Sequence, residues 1–352
     1  MPPVPHSWPL FVAAVVCYND RMNMERSGAG QPTEDGAYSA AGFLEQNQEI
    51  VHELRSIFHG GDYESFMRFP EKLNALRERY QNQSGRSGAP LPVELFEAIV
   101  TEDYLNRREA EYQKLSGEGG LYLPLQESGG GDFWFRGDGL ADVGGQMVRG
   151  TNEAQAMFFD MAGHSRDAAV MKSYMAKLIE LYRTAYPRGP AAAADPRLMV
   201  ELDRFIAESP FAFPFAEYAN VRIFGVRDGK KQVNIERAGG SPVFVRDRAT
   251  GVITMVDEGN PALGTGLLAQ FPLESTDLEL AGADVFLCSD GLFNIRNGDD
   301  RNTLFSDRFA EFCADRRQAS AERFKQELFD YVKRAKDESR VDDDVTIVAF
   351  PC

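Results

Sequence analysis

The sequence predicts an α+β fold, mainly antiparallel sheets covered by helices, and two observations predict it. Short β-rich runs outnumber helices of crossover length, and several runs are separated by hairpin-sized turns such as Arg227-Asp228-Gly229-Lys230. A doubly wound parallel sheet would need a long crossover between each pair of strands. The chain has 352 residues, 43% of them hydrophobic, enough for one large domain with a real core and a smaller one beside it.

Residues 1–39 open with prolines, hold one short apolar run at 8–16, and turn into SGAGQPTEDG, the composition of a flexible segment. The run is far shorter than the roughly 20 residues that cross a bilayer and has no basic leader, so neither a membrane span nor a secretory signal is expected. Over residues 41–58 the apolar side chains Ile50, Val51, Leu54, Ile57 and Phe58 share one helical face, and Gly60-Gly61 supplies a stop. Pro70 can open a second helix carrying Leu73, Leu76 and Tyr80. After the linker at 81–90, a third begins near Pro92 with Leu95, Phe96, Ile99 and Val100. Residues 40–118 therefore form a small helical module. It reads equally as packing for the main domain and as a regulatory or dimerising element that would make a homodimer; no sustained heptads point to a coiled coil.

The texture changes at Gly119-Gly120. Strands are expected at 157–160, 221–226, 232–235, 243–245, 252–255, 285–289 and 345–350, and helices at 166–186, 196–207 and 321–335. The third division of the chain is thus 119–352.

Composition narrows the function. The formal charge is −16, from 54 acids against 38 bases, and no basic patch stands out, so nucleic-acid binding is disfavoured. Cys17, Cys288, Cys313 and Cys352 are scattered without CxxC spacing, which suggests neither a zinc site nor a disulfide framework and leaves a reducing cytoplasm as the expected location.

Four acids sit at the edges of apolar segments: Asp132 in SGGGDFWF, Asp160 in MFFDMAGHS, Asp290 in FLCSDGL and Asp343 in SRVDDDVTIV. Carboxylates without histidine or cysteine partners suit a hard cation, Mg²⁺ or Mn²⁺. Several acids converging on one point repel each other unless cations neutralise them, so a pair of ions is the sensible reading, and two metals suggest phosphoester hydrolysis. Singly, an acid before a glycine is usually a solvated turn residue. His164, at a helix entry, reads as a structural residue, and Cys288 as a small buried hydrophobe. Gly129–131 is not a phosphate loop, because no Gly-Lys-Ser/Thr follows. Asp342, Asp344 and Thr346 have the DxDxT spacing of a covalent aspartyl phosphatase, but a polar segment precedes them where that motif follows an apolar strand.

Taken in order, these segments resemble the metal-dependent protein phosphatase family, the protein phosphatase 2C (PP2C) class, and most closely its bacterial branch typified by stage II sporulation protein E. The likeness spans roughly residues 119–352. GGDFWF is similar to the family's GGDFYD, FFDMAGHS to its GDVSGHG, ERAGGSPVFV to its NAGHPPP segment, FLCSDGL to SDGL, and DDDVTIVAF to DDITLLV. The resemblance implies two packed antiparallel sheets flanked by helices, an α-β-β-α sandwich, with a centre of two Mn²⁺ or Mg²⁺ ions at one end. Asp160 resembles the acid that bridges the ions and the Met161 carbonyl the neighbouring backbone ligand. Asp132, Asp290 and Asp343 would complete the centre, with Asp344 as the alternative to Asp343. The implied activity is hydrolysis of phosphoserine or phosphothreonine in a protein by a water activated between the ions. The implied partner is a phosphoprotein, a small STAS-type anti-sigma-factor antagonist in a partner-switching pathway.

The chain departs from the family pattern at several points. Ser165 stands where the family has the second glycine of GHG, Arg237 and Gly240-Ser241 where it has asparagine and histidine, and Asn294 where an acid is common. No arginine for the substrate phosphate is identifiable, in keeping with the bacterial branch. These departures motivate a second reading, a catalytically weak phosphatase-like domain that regulates by binding a partner.

Overall fold

The computed structural model describes residues 39–88, 91–115, 120–123, 132–137, 140–143, 146–149, 154–161, 166–186, 196–210, 215–256, 260–292, 295, 307–338, 341 and 343–352. The expected flexible segment, the Gly129–131 run, Gly163-His164-Ser165, Asn294 and Asp342 lie outside these residues, apart from Ser39. Residues from Ala40 to Cys352 form one compact unit.

Six helices come first: α1 (Ala40–Gln46), α2 (Gln48–Gly60), α3 (Tyr63–Met67), α4 (Phe69–Ser84), α5 (Val93–Val100) and α6 (Glu102–Leu115). The single helix expected over 41–58 is two, broken at Asn47, whose buried side-chain amide donates to the Phe43 carbonyl at 2.9 Å. The backbone ladder itself continues through the break, with the Asn47 amide on the Phe43 carbonyl at 3.0 Å and the Val51 amide on the Asn47 carbonyl at 3.2 Å, and it is the Asn47 backbone, φ −119° and ψ 26°, that leaves the helical range. Gly61 ends α2 with ordinary extended backbone; glycine is needed because a Cβ there would lie 2.4 Å from the Ile57 carbonyl oxygen. Asp62 caps α3 by accepting from the Ser65 amide at 2.9 Å. Helix α4 runs through the first residues of the expected linker and stops at left-handed Gly85, φ 68°.

The strands are β1 (Gly120–Leu123), β2 (Phe133–Gly137), β3 (Leu140–Val143), β4 (Gln146–Arg149), β5 (Ala154–Met161), β6 (Ala216–Arg227), β7 (Lys230–Ala238), β8 (Val243–Asp247), β9 (Ile253–Val256), β10 (Ser275–Leu280), β11 (Ala283–Cys288) and β12 (Val345–Pro351). Helices α7 (Arg166–Ala185) and α8 (Pro196–Glu208) separate β5 from β6, and α9 (Asp307–Asp315) and α10 (Ala321–Asp337) precede β12.

Two five-stranded sheets result, ordered β1-β12-β11-β8-β9 and β10-β7-β6-β5-β2, with β3-β4 as a separate hairpin. Every pairing between named strands is antiparallel. The β6–β7 hairpin turns at Asp228 and Gly229, both at positive φ (52° and 75°), the primed turn whose twist matches its strands.

The core follows from strand alternation. Phe158, Val221 and Ile235 from one sheet meet Val243, Val285, Leu287 and Val348 from the other, all fully or nearly fully buried. On the outer side of the β12 sheet, Phe286, Cys288 and Ile347 pack with Phe324, Leu328 and Val332 of α10. Helix α7 lies against β5. The order is therefore helix, sheet, sheet, helix. The amino-terminal helices dock on α7 through aromatic rings: Tyr174 of α7 has ring centroids 5.0 Å from Phe58 and 5.1 Å from Phe69. Burying one such ring contributes roughly 1.5–3 kcal/mol.

Candidate metal centre

Sheet register builds one side of the site. In β2 and β5, Phe133 pairs with Phe159, which sets Asp132, just ahead of β2, opposite Asp160. In β5 and β6, Asp160 pairs directly with Glu217. Paired residues share a face with Cβ atoms about 5 Å apart, so three carboxylates form a row across the end of this sheet. Met161 closes β5 opposite Ala216 and is buried.

The other sheet supplies the facing acids. Strand β11 ends at Cys288 and β12 begins at Val345, with Cys288 paired to Ile347. Beyond that pair Ser289 ties the two segments together: its amide donates to the Thr346 carbonyl at 3.0 Å, its hydroxyl donates to the Asp344 carbonyl at 3.1 Å and accepts from the Thr346 amide at 2.9 Å. Asp290–Leu292 then makes a short 3-10 turn. Gly291 is required by close approach, since a Cβ would fall 2.0 Å from the Asp344 carbonyl oxygen. The Asp343 carboxylate accepts from the Asp344 amide at 2.7 Å.

The two sets meet electrostatically. Burial, then the charges of Asp132, Asp290, Glu217 and Asp343, push the Asp160 carboxyl well above its ordinary range. Burial raises Asp290 likewise, with Asp343, Glu217 and Asp132 adding repulsion and Asp343 a shared hydrogen bond. Asp132 is raised by burial and then by the charges of Asp344 and Asp343. Asp132, Asp343 and Asp344 are buried, whereas Asp160, Glu217 and Asp290 remain partly open to solvent. Behind the row, Lys172 of α7 reaches the Asp132 carbonyl at 3.3 Å and the Tyr122 hydroxyl at 3.2 Å.

The four sequence-predicted acids thus lie in one neighbourhood with Asp344, and Glu217 joins them. Sequence reasoning missed Glu217 because the expected strand began at residue 221; an acid flanked by apolar residues in PFAEYANV was the only signal. Among the described residues no three acids, histidines or cysteines stand close enough to grip an ion as they are. The donor set nevertheless fits a hard divalent cation: it is all oxygen, mutually repulsive, and includes buried Asp132 Oδ2, which has no hydrogen-bond partner among the described residues. Asp132, Asp160, Asp290 and Asp343 or Asp344 are the residues that could hold it.

Residues 151–351 match the family model described as stage II sporulation protein E (SpoIIE). The chain belongs to the SpoIIE family. Solved structures are similar to it in differing degree. The SiaA-PP2C domain of Pseudomonas aeruginosa is similar at a TM-score of 0.52 with 18% identity, over 71% of this chain and 96% of that one. The RsbU and RsbW domains of a Mycobacterium tuberculosis protein match at 0.47 and 19%, over 66% and 58%. The PP2C domain of Bacillus subtilis SpoIIE, with a fragment of its regulatory domain, matches at 0.45 and 16%, over 66% and 62%. No curated protein matches in sequence. The fold of this SpoIIE-family chain is that of PP2C-type phosphatases, and no helix among its described residues is long and apolar enough to cross a membrane.

Proposed function

We propose that this SpoIIE-family chain is a metal-dependent serine/threonine phosphoprotein phosphatase. The observation that carries the reading is the meeting of Asp132, Asp160, Asp290 and Asp343 from the ends of two facing sheets, each a separate stretch of sequence. When bound, two Mg²⁺ or Mn²⁺ ions would make water nucleophilic near neutral pH and offset phosphoryl charge. The chain's own part is to hold the carboxylates rigidly. Ser289 and the Gly291 turn lock Asp290 against the Asp343-Asp344 backbone, while the β2–β5–β6 register fixes Asp132 and Asp160. The partly open Asp160 and Asp290 would face an incoming phosphoserine, and buried Asp132 and Asp343 would anchor the centre from behind.

We assign 119–352 to the phosphatase domain and 40–118 to a regulatory module; its docking on α7, the helix that follows Asp160 in sequence, supports a gating role. The substrate class we propose is a small phosphorylated regulatory protein of the STAS-type anti-sigma-factor antagonist kind, by family.

The test is Mn²⁺-dependent release of phosphate from a phosphoserine peptide by the pure full chain, with Asp160→Asn and Asp290→Asn beside it. Turnover that both variants abolish supports the reading. Retained activity in both overturns the site. The second reading, a phosphatase-like binding domain, is motivated by Ser165 and Gly240-Ser241, which stand where the family pattern has glycine and histidine. That reading predicts no turnover with Mn²⁺ or Mg²⁺ and normal partner binding.

A further inference from the structure

Resting on the metal-centre reading, we propose that Glu217 is an additional metal-facing carboxylate of this site, positioned by the Gly239-Gly240-Ser241 turn. Its place comes from register: Glu217 is the direct cross-strand partner of Asp160, on the same face of the sheet. Its charge acts on both Asp160 and Asp290, and Asp343 acts on it in turn. Glu217 therefore touches the field of acids contributed by both sheets. Among those acids Asp132 Oδ2 is buried without a hydrogen-bond partner among the described residues, a second and independent sign that a cation belongs there.

The turn after β7 is shaped around this carboxylate. Ser241 Oγ donates to Glu217 Oε2 at 3.1 Å, and Gly240 packs closely against the same carboxylate. A Cβ on Gly240 would fall 2.8 Å from Oε1, and one on Gly239 would fall 3.1 Å from Cγ. Gly239 is also left-handed, φ 81°. Arg237, whose charge favours the ionised carboxylate, donates from Nε to the Ser241 carbonyl at 2.7 Å and also to the Val256 carbonyl, and so braces the turn. Arg237 offsets part of this charge, yet Asp160, Asp290 and Asp343 repel it from both sheets, and a positive ion among these acids would relieve that repulsion.

Calorimetric titration of the metal-free full chain with Mn²⁺, with bound Mn²⁺ counted by electron paramagnetic resonance, tests this. Glu217→Gln should weaken Mn²⁺ binding about tenfold or more, or remove one ion, while its melting temperature in EDTA stays the same or rises. Glu217→Asp should recover part of the affinity. Wild-type affinity and stoichiometry in Glu217→Gln would overturn the proposal. If Glu217→Gln does not fold, Gly240→Ala decides: it keeps the charge but displaces Oε1, and unchanged binding there would overturn the proposal equally. A wild-type chain that takes up no Mn²⁺ would bring down the metal-centre reading itself, a different result from wild-type binding that Glu217→Gln leaves intact.

Discussion

Lys172 Nζ lies 2.9 Å from Glu109 Oε2, an ion pair with both side chains almost wholly buried, and the same ammonium reaches the carbonyl of Asp132. One partner comes from α6 and the other from α7, so the pair joins the amino-terminal helices to the backbone that carries a candidate metal acid. Breaking a buried pair from one side leaves an uncompensated charge, which costs about 3–5 kcal/mol. Glu109→Gln should therefore lower unfolding free energy by that order in urea titrations. Glu109→Leu combined with Lys172→Met should recover much of the loss.

The acid cluster predicts an inverted pH response in the metal-free protein. Asp132, Asp160, Asp290 and Glu217 all have folded-state pKa values raised by burial and by each other. Below the ordinary carboxylate value, about 4, both folded and unfolded chains hold these protons and the cluster has no penalty. As pH rises above it the unfolded chain releases protons that the folded chain retains, so stability from these groups falls until the raised values are passed. Melting temperatures in EDTA, compared between wild type and Asp290→Asn from pH 5 to 8, should show the wild type losing ground as pH increases. Saturating Mn²⁺ should remove the difference in slope by binding the ionised form. A parallel pair of curves in EDTA would contradict this.

Gly291→Ala should be among the most damaging small substitutions in the site. The added Cβ collides with the Asp344 carbonyl, backbone that Ser289 holds in place and that cannot swing away. Overpacking of this kind costs roughly 1–3 kcal/mol. The expected result is a lower melting temperature together with weakened Mn²⁺ uptake, read on the same samples.

Arg246 supplies a test remote from the chemistry. Its fully buried guanidinium donates from Nε to Asp284 Oδ2 at 3.0 Å and from Nη1 to the Arg316 carbonyl at 3.1 Å, and stacks 3.8 Å over the Phe324 ring. Arg246→Met keeps the bulk but leaves buried Asp284 with the looser Arg248 contact at 3.5 Å, so it should destabilise the fold by up to about 3–5 kcal/mol. Circular dichroism melts would show it, with Mn²⁺ affinity per folded molecule unchanged.

What the sequence discloses depends on how apolar each segment is. Strands β5 to β9, β11 and β12 are legible because they make continuous apolar or alternating runs. Strand β10, Ser275–Leu280, is an edge whose only apolar residues are Leu278 and Leu280, and it left no such trace. Helix α6 was hidden for the same reason, since Glu, Arg and Lys dominate it. Asp160 and Asp290 are conspicuous as candidates because each interrupts a hydrophobic run. Glu217 is not, because β6 begins at Ala216, five residues before its apolar stretch. Lys172 was masked by the opposite effect: a lysine within an amphipathic helix reads as solvated, and only the buried Glu109 from another helix reveals its place.

Strand β12 lies between β1 and β11, pairing Gly120 with Val348 on one side and Cys288 with Ile347 on the other. During synthesis on the ribosome, β1 must wait, its neighbouring position empty, while nearly all of the sandwich is translated. Until Val345–Pro351 emerges, both flanking strands present bare edges, and such edges recruit stray chains. Production of this protein should therefore be sensitive to chaperone supply and to translation speed over the codons for β12, long before any phosphate is at stake.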